Sequence, residues 1–176
     1  MIRLLELEDQ AELQDFDCGD DDLNGFISTD ALRYRDEMFA QTWVWAQDGR
    51  IAAYAAMVND RISTDQLDGH KRDAIQVSRL ALGKDLLRGG HIPAVKLARL
   101  AVRKEYRGVG IGRDMVIELC LLFASSRNRT GCRLMTVDAY DSAAAFYRRL
   151  EFIEQNTKRS PQSSTVPMVI DLRRFR

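Results

Sequence analysis

Ala94-Val-Lys-Leu-Ala-Arg-Leu-Ala-Val102, followed after Arg-Lys-Glu-Tyr by Arg107-Gly-Val-Gly-Ile-Gly-Arg113, decides the fold. It reads as a strand, a glycine loop and the start of a helix. Apolar side chains alternate at Val95 and Leu97 and resume out of phase at Leu100 and Val102, so the period-two pattern contains one inserted residue. A β-bulge makes such an insertion. A strand buried on both faces is the plainer reading, since such strands run as continuous apolar stretches.

Arg107, Gly108, Gly110 and Gly112 set three residues without side chains where the helix begins. The first amides of that helix are left bare, and such a nest binds phosphate. A glycine turn with no ligand is the bland alternative. The NTPase phosphate loop ends in Gly-Lys-Ser/Thr, whereas here Gly112 is followed by Arg113 and Asp114. The dinucleotide fingerprint needs a glycine where Arg113 stands.

Arg-x-x-Gly-x-Gly after a strand ending in Leu-Ala-Val resembles the acetyl-coenzyme A signature of the GNAT superfamily of N-acetyltransferases. A second stretch, Ala143-Ala-Ala-Phe146-Tyr147-Arg-Arg-Leu150-Glu151-Phe152, resembles that family's Ala-x-x-Phe-Tyr motif. Two departures stand out. Tyr140 occupies the position where many members carry a cofactor-contacting Asn. Glu151 replaces the glycine before the final Phe, so a positive φ there is no longer free. The resemblance implies an α/β (α+β) single-domain fold, a mixed sheet of about seven strands with a bulged central strand, flanked by helices.

It also implies a site. Amides of Arg107, Gly108, Val109, Gly110, Ile111, Gly112 and Arg113 would hold the pyrophosphate of acetyl-coenzyme A, the cosubstrate. Backbone groups of Leu100, Ala101 and Val102 would hold the pantetheine and acetyl group, with Tyr140 as a further contact. Tyr147 is the expected catalytic acid toward the departing thiolate. Proton transfer from a phenol of pKa about 10 to a thiolate of pKa about 8.5 is uphill by roughly 2 kcal/mol, so the expectation is a hydrogen bond with late transfer. Tyr147 packed in the core beside Phe146 is the structural alternative. No general base stands out, and water, Asp17 or Asp138 could serve.

The length of 176 residues suits one domain with a sizeable core, and 45% apolar with 30% charged residues is ordinary for a soluble protein. Charges crowd the first nine residues and no later run could span a bilayer, so the expectation is a cytoplasmic protein with no membrane partner. Cys18, Cys120 and Cys132 with His70 and His91 lack metal-ligand spacing, so reduced thiols and no metal are expected. Net charge is zero but uneven: residues 1–74 carry 17 acidic and 7 basic side chains, the remainder 9 and 19.

That asymmetry bears on the acceptor. An acidic first half would draw a cationic amine and repel RNA, so the preferred acceptor is a primary amine of a small molecule or peptide. The alternative is toxin-like acetylation of aminoacyl-tRNA, with an antitoxin as partner. Phe16-Asp17-Cys18-Gly19 with Leu23 and Phe26, Pro93-Ala-Val-Lys-Leu97 and Val166-Pro-Met-Val-Ile170 resemble the subset that includes such toxins. Arg127, Arg129, Arg133, Arg148, Arg149, Lys158 and Arg159 could give tRNA a small basic face. A binding module without turnover is a third reading, against which Tyr147 argues. Homodimer formation is left open.

Elsewhere the pattern predicts strands at Ile2–Leu7, Gln41–Gln47, Arg50–Val58, Cys132–Ala139, Phe152–Gln155 and Val166–Leu172. Asp48-Gly49 is a hairpin turn. Helices are expected after an aspartate cap at Asp20–Asp22, over Ile111–Ser126 with Met115, Leu119, Leu122 and Phe123 on the sheet, and over Asp141–Leu150 capped by Asp141 or Ser142. A loose connection fills Asn59 to His91.

Overall fold

The computed structural model describes residues 2–6, 9, 13–63, 90–125, 131–155 and 163–176. Most of the expected loose connection lies outside them, as do Arg127, Arg129, Lys158 and Arg159. The strands are β1 Ile2–Leu4, β2 Gln41–Gln47, β3 Arg50–Ser63, β4 His91–Val102, β5 Leu134–Tyr140, β6 Ile153–Glu154 and β7 Thr165–Asp171. The α-helices are α1 Asp21–Gly25, α2 Ala31–Asp36, α3 Ile111–Ala124 and α4 Ala144–Arg149. The strands form one seven-stranded sheet in the order β1-β2-β3-β4-β5-β7-β6. Its β4–β5 pair is parallel, while β1–β2, β2–β3, β5–β7 and β6–β7 are antiparallel, so the sheet is mixed as expected. The chain divides into two compact units, Met1–Asn59 with Leu97–Leu122 and Asp60–Lys96 with Phe123–Arg176.

In the first unit, β2 and β3 turn at Asp48 and Gly49, whose φ angles of 52° and 77° are what a tight two-residue hairpin demands. Ile51 to Met57 are all buried, as in a strand covered on both faces. Tyr54 anchors it: its hydroxyl donates to the Leu23 carbonyl at 2.7 Å, and its ring meets Phe16 and Phe26. Asp20 caps α1 by accepting from the Leu23 amide at 3.1 Å, with Asp21 and Asp22 in the first turn, so the aspartate run is a cap. A π-turn, Phe26–Asp30, joins α1 to α2.

Helix α3 buries Ile111, Met115, Val116, Leu119, Cys120 and Ala124, a stripe at helical spacing. Leu122, expected on that face, is 37% exposed; the stripe passes through Val116 and Cys120 instead.

In the second unit β5 lies between the start of β4 and β7, and Ile62, Ile92, Ala94, Leu134 and Val169 form the core. A bidentate pair from Arg133 to Asp171, 2.8 and 2.7 Å, closes its end; Asp171 is 4% exposed and also caps the next turn through the Arg173 amide. Helix α4 departs from the expected start. Ala143 is its N-cap, with no side-chain cap bond, because Tyr140 to Ala144 form tight turns that carry Asp141 and Ser142 past the capping position.

Candidate functional site

The first unit carries the strand end and the glycine loop. β4 pairs with β5 only through Ala94–Lys96 opposite Leu134–Thr136, without a register shift; the residues from Leu97 on lie beyond those pairs. Ala98 and Arg99 are consecutive, and successive strand side chains point to opposite faces, yet both line one cavity with Ala56 and Val58 of β3. Leu97 and Ala101, at even spacing on one face, are both buried, so burial keeps a single phase across the stretch where the sequence suggested an inserted residue. Ala101 is buried, while Leu100 and Val102 are half-buried.

Beyond Val102 the chain is fixed by Arg103, which the sequence reading missed. Its side chain is 2% exposed. Nε donates to the Ile51 carbonyl at 2.8 Å and Nη1 to Asp15 at 2.5 Å, while the guanidinium lies 5.2 Å from the Phe16 ring centroid. The Arg103 amide donates to Ala52 at 2.9 Å. A buried guanidinium spending its donors on carbonyls cross-braces β3, β4 and the segment before α1. Nothing in the sequence distinguishes it from the neighbouring surface cations.

Arg107 then ties the loop back, donating to the carbonyls of Cys18 and Val102. Gly108 and Gly110 hold φ at 81° and 96°, the left-handed region that favours glycine. The Asp114 amide bonds to the Gly110 carbonyl at 3.0 Å, the first bond of the helix, so the amides just before it have no helical partner. A Cβ on Gly108 would meet nothing within 4 Å, and Val109 is 69% exposed. The loop is an open cradle of donors at a helix N-terminus, which fits a pyrophosphate.

Asp17 is a poor candidate base. Its carboxylate accepts from Lys104 Nζ at 2.6 Å and from the Gly19 amide at 2.7 Å. The Lys104 bond above all holds its pKa below the usual carboxylate value. Gly19 holds φ at 75°, the left-handed region that favours glycine, and an added Cβ would come within 2.8 Å of Cε at the flexible end of Lys104. All three thiols are raised by burial, Cys120 to about 12, which removes them as nucleophiles.

The cavity, about 590 Å³, is lined by Arg33, Tyr34, Glu37, Phe39, Ala40, Ala56, Val58, Ala98 and Arg99 and does not include the glycine loop. Arg99 lies 4.1 Å from the Phe26 ring centroid and 3.9 Å from Asp22, with its Nε buried and without a hydrogen-bond partner.

The second unit holds the two tyrosines. Tyr140 ends β5 and is 47% exposed. Tyr147 is 5% exposed, 5.0 Å from Phe146 and 5.4 Å from Phe152 between ring centroids, both edge-on. Its backbone is held by a helix-ending motif: the Phe152 amide donates to the Tyr147 carbonyl at 3.1 Å and the Glu151 amide to Arg148 at 2.9 Å. That motif needs a left-handed residue, and Glu151 adopts φ 66° without glycine's freedom. Burial pushes the Tyr147 phenol above its ordinary range, and no described residue bonds its hydroxyl. Asp138, the other carboxylate considered as a base, is ion-paired with Lys96.

No group of three or more metal-ligating side chains occurs among the described residues, and no described helix is long and apolar enough to cross a membrane.

Residues 39–154 match the sequence model of the acetyltransferase (GNAT) domain. A tRNA-acetylating toxin of Mycobacterium tuberculosis is 22% identical over 147 residues, 83% of this chain and 81% of that protein. Among solved structures, AtaT complexed with acetyl-methionyl-tRNAfMet superposes with a TM-score of 0.72 at 22% identity, covering 96% of this chain and 92% of that one. A mutant AtaT toxin bound to the C-terminus of the antitoxin AtaR and acetyl-CoA gives 0.71 at 20% identity, covering 99% and 94%.

Proposed function

The chain belongs to the GNAT acetyltransferase family, and from that membership we propose that it transfers an acetyl group from acetyl-coenzyme A to the α-amino group of an aminoacyl-tRNA. The observation that carries the acceptor is the near full-length similarity to a tRNA-acetylating toxin. The AtaT complexes support it by fold. This reverses the preference for a small-molecule or peptide amine that the charge distribution suggested, and an antitoxin partner becomes part of the reading.

Amides from Arg107 to Arg113 hold the pyrophosphate, where positive φ angles and first-turn donors make an open cradle. Backbone groups of Leu100, Ala101 and Val102 receive the thioester end, and Tyr140 adds a contact. An amide near Leu100 stabilises charge building on the thioester oxygen. The amine nitrogen forms the new C–N bond as the C–S bond breaks; the ammonium proton leaves to solvent, and the departing thiolate is held by a hydrogen-bond donor and protonated late, the donor regaining its proton from solvent. Tyr147 is that donor. Burial keeps it protonated and makes full early transfer harder, so its contribution is a hydrogen bond that strengthens as the thiolate leaves.

The test uses labelled acetyl-coenzyme A with bulk charged tRNA and, in parallel, a panel of polyamines and basic peptides. Label entering charged tRNA and released by deacylation is the expected result. Label confined to the small amines would overturn the acceptor assignment.

A further inference from the structure

Resting on that reading, we propose that the cavity of the first unit receives the aminoacyl group itself, with an apolar side chain against its alanine and valine lining and the acceptor amine at Glu37. The volume of about 590 Å³ is that of a ligand site. Part of its lining is small and apolar: Ala56 is fully buried and Ala40 6% exposed, with Val58 and Ala98, and Tyr34 and Phe39 add two rings. Ala98 and Arg99 directly precede Leu100–Val102 along β4, so the cavity adjoins the backbone assigned to the thioester.

The charges of the lining are distributed unequally. Arg99 is laid on Phe26 beside Asp22, and Arg33 donates to Asp30 at 2.9 Å. Glu37, at the C-terminal end of α2, is the one carboxylate of the lining and is paired with no described residue. The two carboxylates first considered as bases, Asp17 and Asp138, are both engaged by lysines. An α-ammonium of pKa about 8 needs only a modest acceptor to be held and released at neutral pH, and Glu37 supplies it. A lysine side chain would compete with the ammonium for Glu37, and an aspartate would find Arg33 and Arg99 already beside Asp30 and Asp22, so either would lose water against the apolar part of the lining without a free counter-charge.

Two measurements on the full chain test this. In the first, tRNA charged with methionine, glycine, lysine or aspartate is acetylated by wild type, Glu37→Gln and Ala98→Leu. Wild type should prefer methionyl-tRNA over lysyl- and aspartyl-tRNA by at least about tenfold. Ala98→Leu, which fills the cavity from an exposed strand position, should move the preference toward glycyl-tRNA by a similar factor. Glu37→Gln should lower kcat/KM for every charged tRNA about tenfold or more while the acetyl-coenzyme A dissociation constant stays put.

The second measurement needs no tRNA: methionine amide, lysine amide and aspartate amide are titrated and followed by NMR at Tyr34 and Phe39. Methionine amide should shift both rings, weakly in Ala98→Leu and Glu37→Gln. Equal rates across the four tRNAs, an inert Glu37→Gln, or amides that leave both rings unmoved would each overturn the inference. Methionine amide seated in the cavity with no label in any tRNA would sustain it and sink the tRNA reading instead.

Discussion

Replacing Tyr147 by Phe should separate chemistry from packing. The ring is 5% exposed and packed edge-on against Phe146 and Phe152, contacts that Phe reproduces. The hydroxyl has no hydrogen-bond partner among the described residues, so its removal orphans no group there. The hydroxyl keeps contact with solvent, so its loss should change stability by no more than about 1 kcal/mol. In a chain of this length that is a melting temperature within about 2–4 °C of wild type. Turnover should meanwhile fall about a hundredfold, close to 2.7 kcal/mol of barrier, with acetyl-coenzyme A affinity within a few fold.

The assay is a thermal melt and a thiol-release rate on one preparation, with Tyr147→Ala as the packing control expected to cost about 3–5 kcal/mol. Protonation adds a second handle. A phenol whose folded pKa is raised by burial costs stability only above its unfolded value of about 10, where the unfolded chain releases the proton and the folded one retains it. Wild type should therefore lose stability as pH climbs past about 10, and Tyr147→Phe should lose less. A Phe variant that melts early and turns over normally would refute the reasoning, because Tyr147 would then be a core brace.

Gly110→Glu should abolish the melting shift that acetyl-coenzyme A gives wild type, about 2.7 kcal/mol at a hundred times the dissociation constant. Gly110→Ala carries the same left-handed strain at φ 96° without the charge, so a variant with Ala that keeps the shift isolates repulsion at the phosphate position. At the turn after α4, Glu151→Gly should be more stable than Glu151→Ala by about 1 kcal/mol, since both lose the exposed pair with Arg174 and only Gly relieves φ 66°. Equal denaturant midpoints for the two would mean the left-handed residue carries no strain.

The parts of the fold that were legible from sequence are those governed by short-range chemistry. Asp48-Gly49 reads as a tight hairpin, Asp20 to Asp22 as a helix cap and Gly108, Gly110 and Gly112 as a loop that bares its amides, and the structure puts positive φ angles at Asp48, Gly49, Gly108 and Gly110. The glutamate in place of the motif glycine announced strain that the structure places at φ 66°. What sequence did not reveal depends on long-range partners. Arg103 reads as one more basic residue until Ile51 and Asp15 bring their carbonyls to it. Glu37 and the cavity assemble from α2, β3 and β4, more than 60 positions apart, and no local pattern joins them.

The charge argument for a small amine is weak for a related reason. It divided the chain at Ala74, whereas the fold divides it by unit: residues 1–59 with 97–122 carry 16 acidic and 9 basic side chains, the remainder 10 and 17. Within the first unit much of the acidic surplus is answered locally, Asp9 by Arg3, Asp17 by Lys104, Asp22 by Arg99, Asp30 by Arg33, Asp36 by Arg35 and Asp114 by Arg113. In the second, Arg149 and Arg173 are exposed, and their guanidinium groups are paired with no described carboxylate. An aminoacyl-tRNA presents one amine and many phosphates, so it asks for a carboxylate at the acceptor site and cations elsewhere. A net charge of zero is the sum of those two demands, and by itself it weighs neither for nor against RNA.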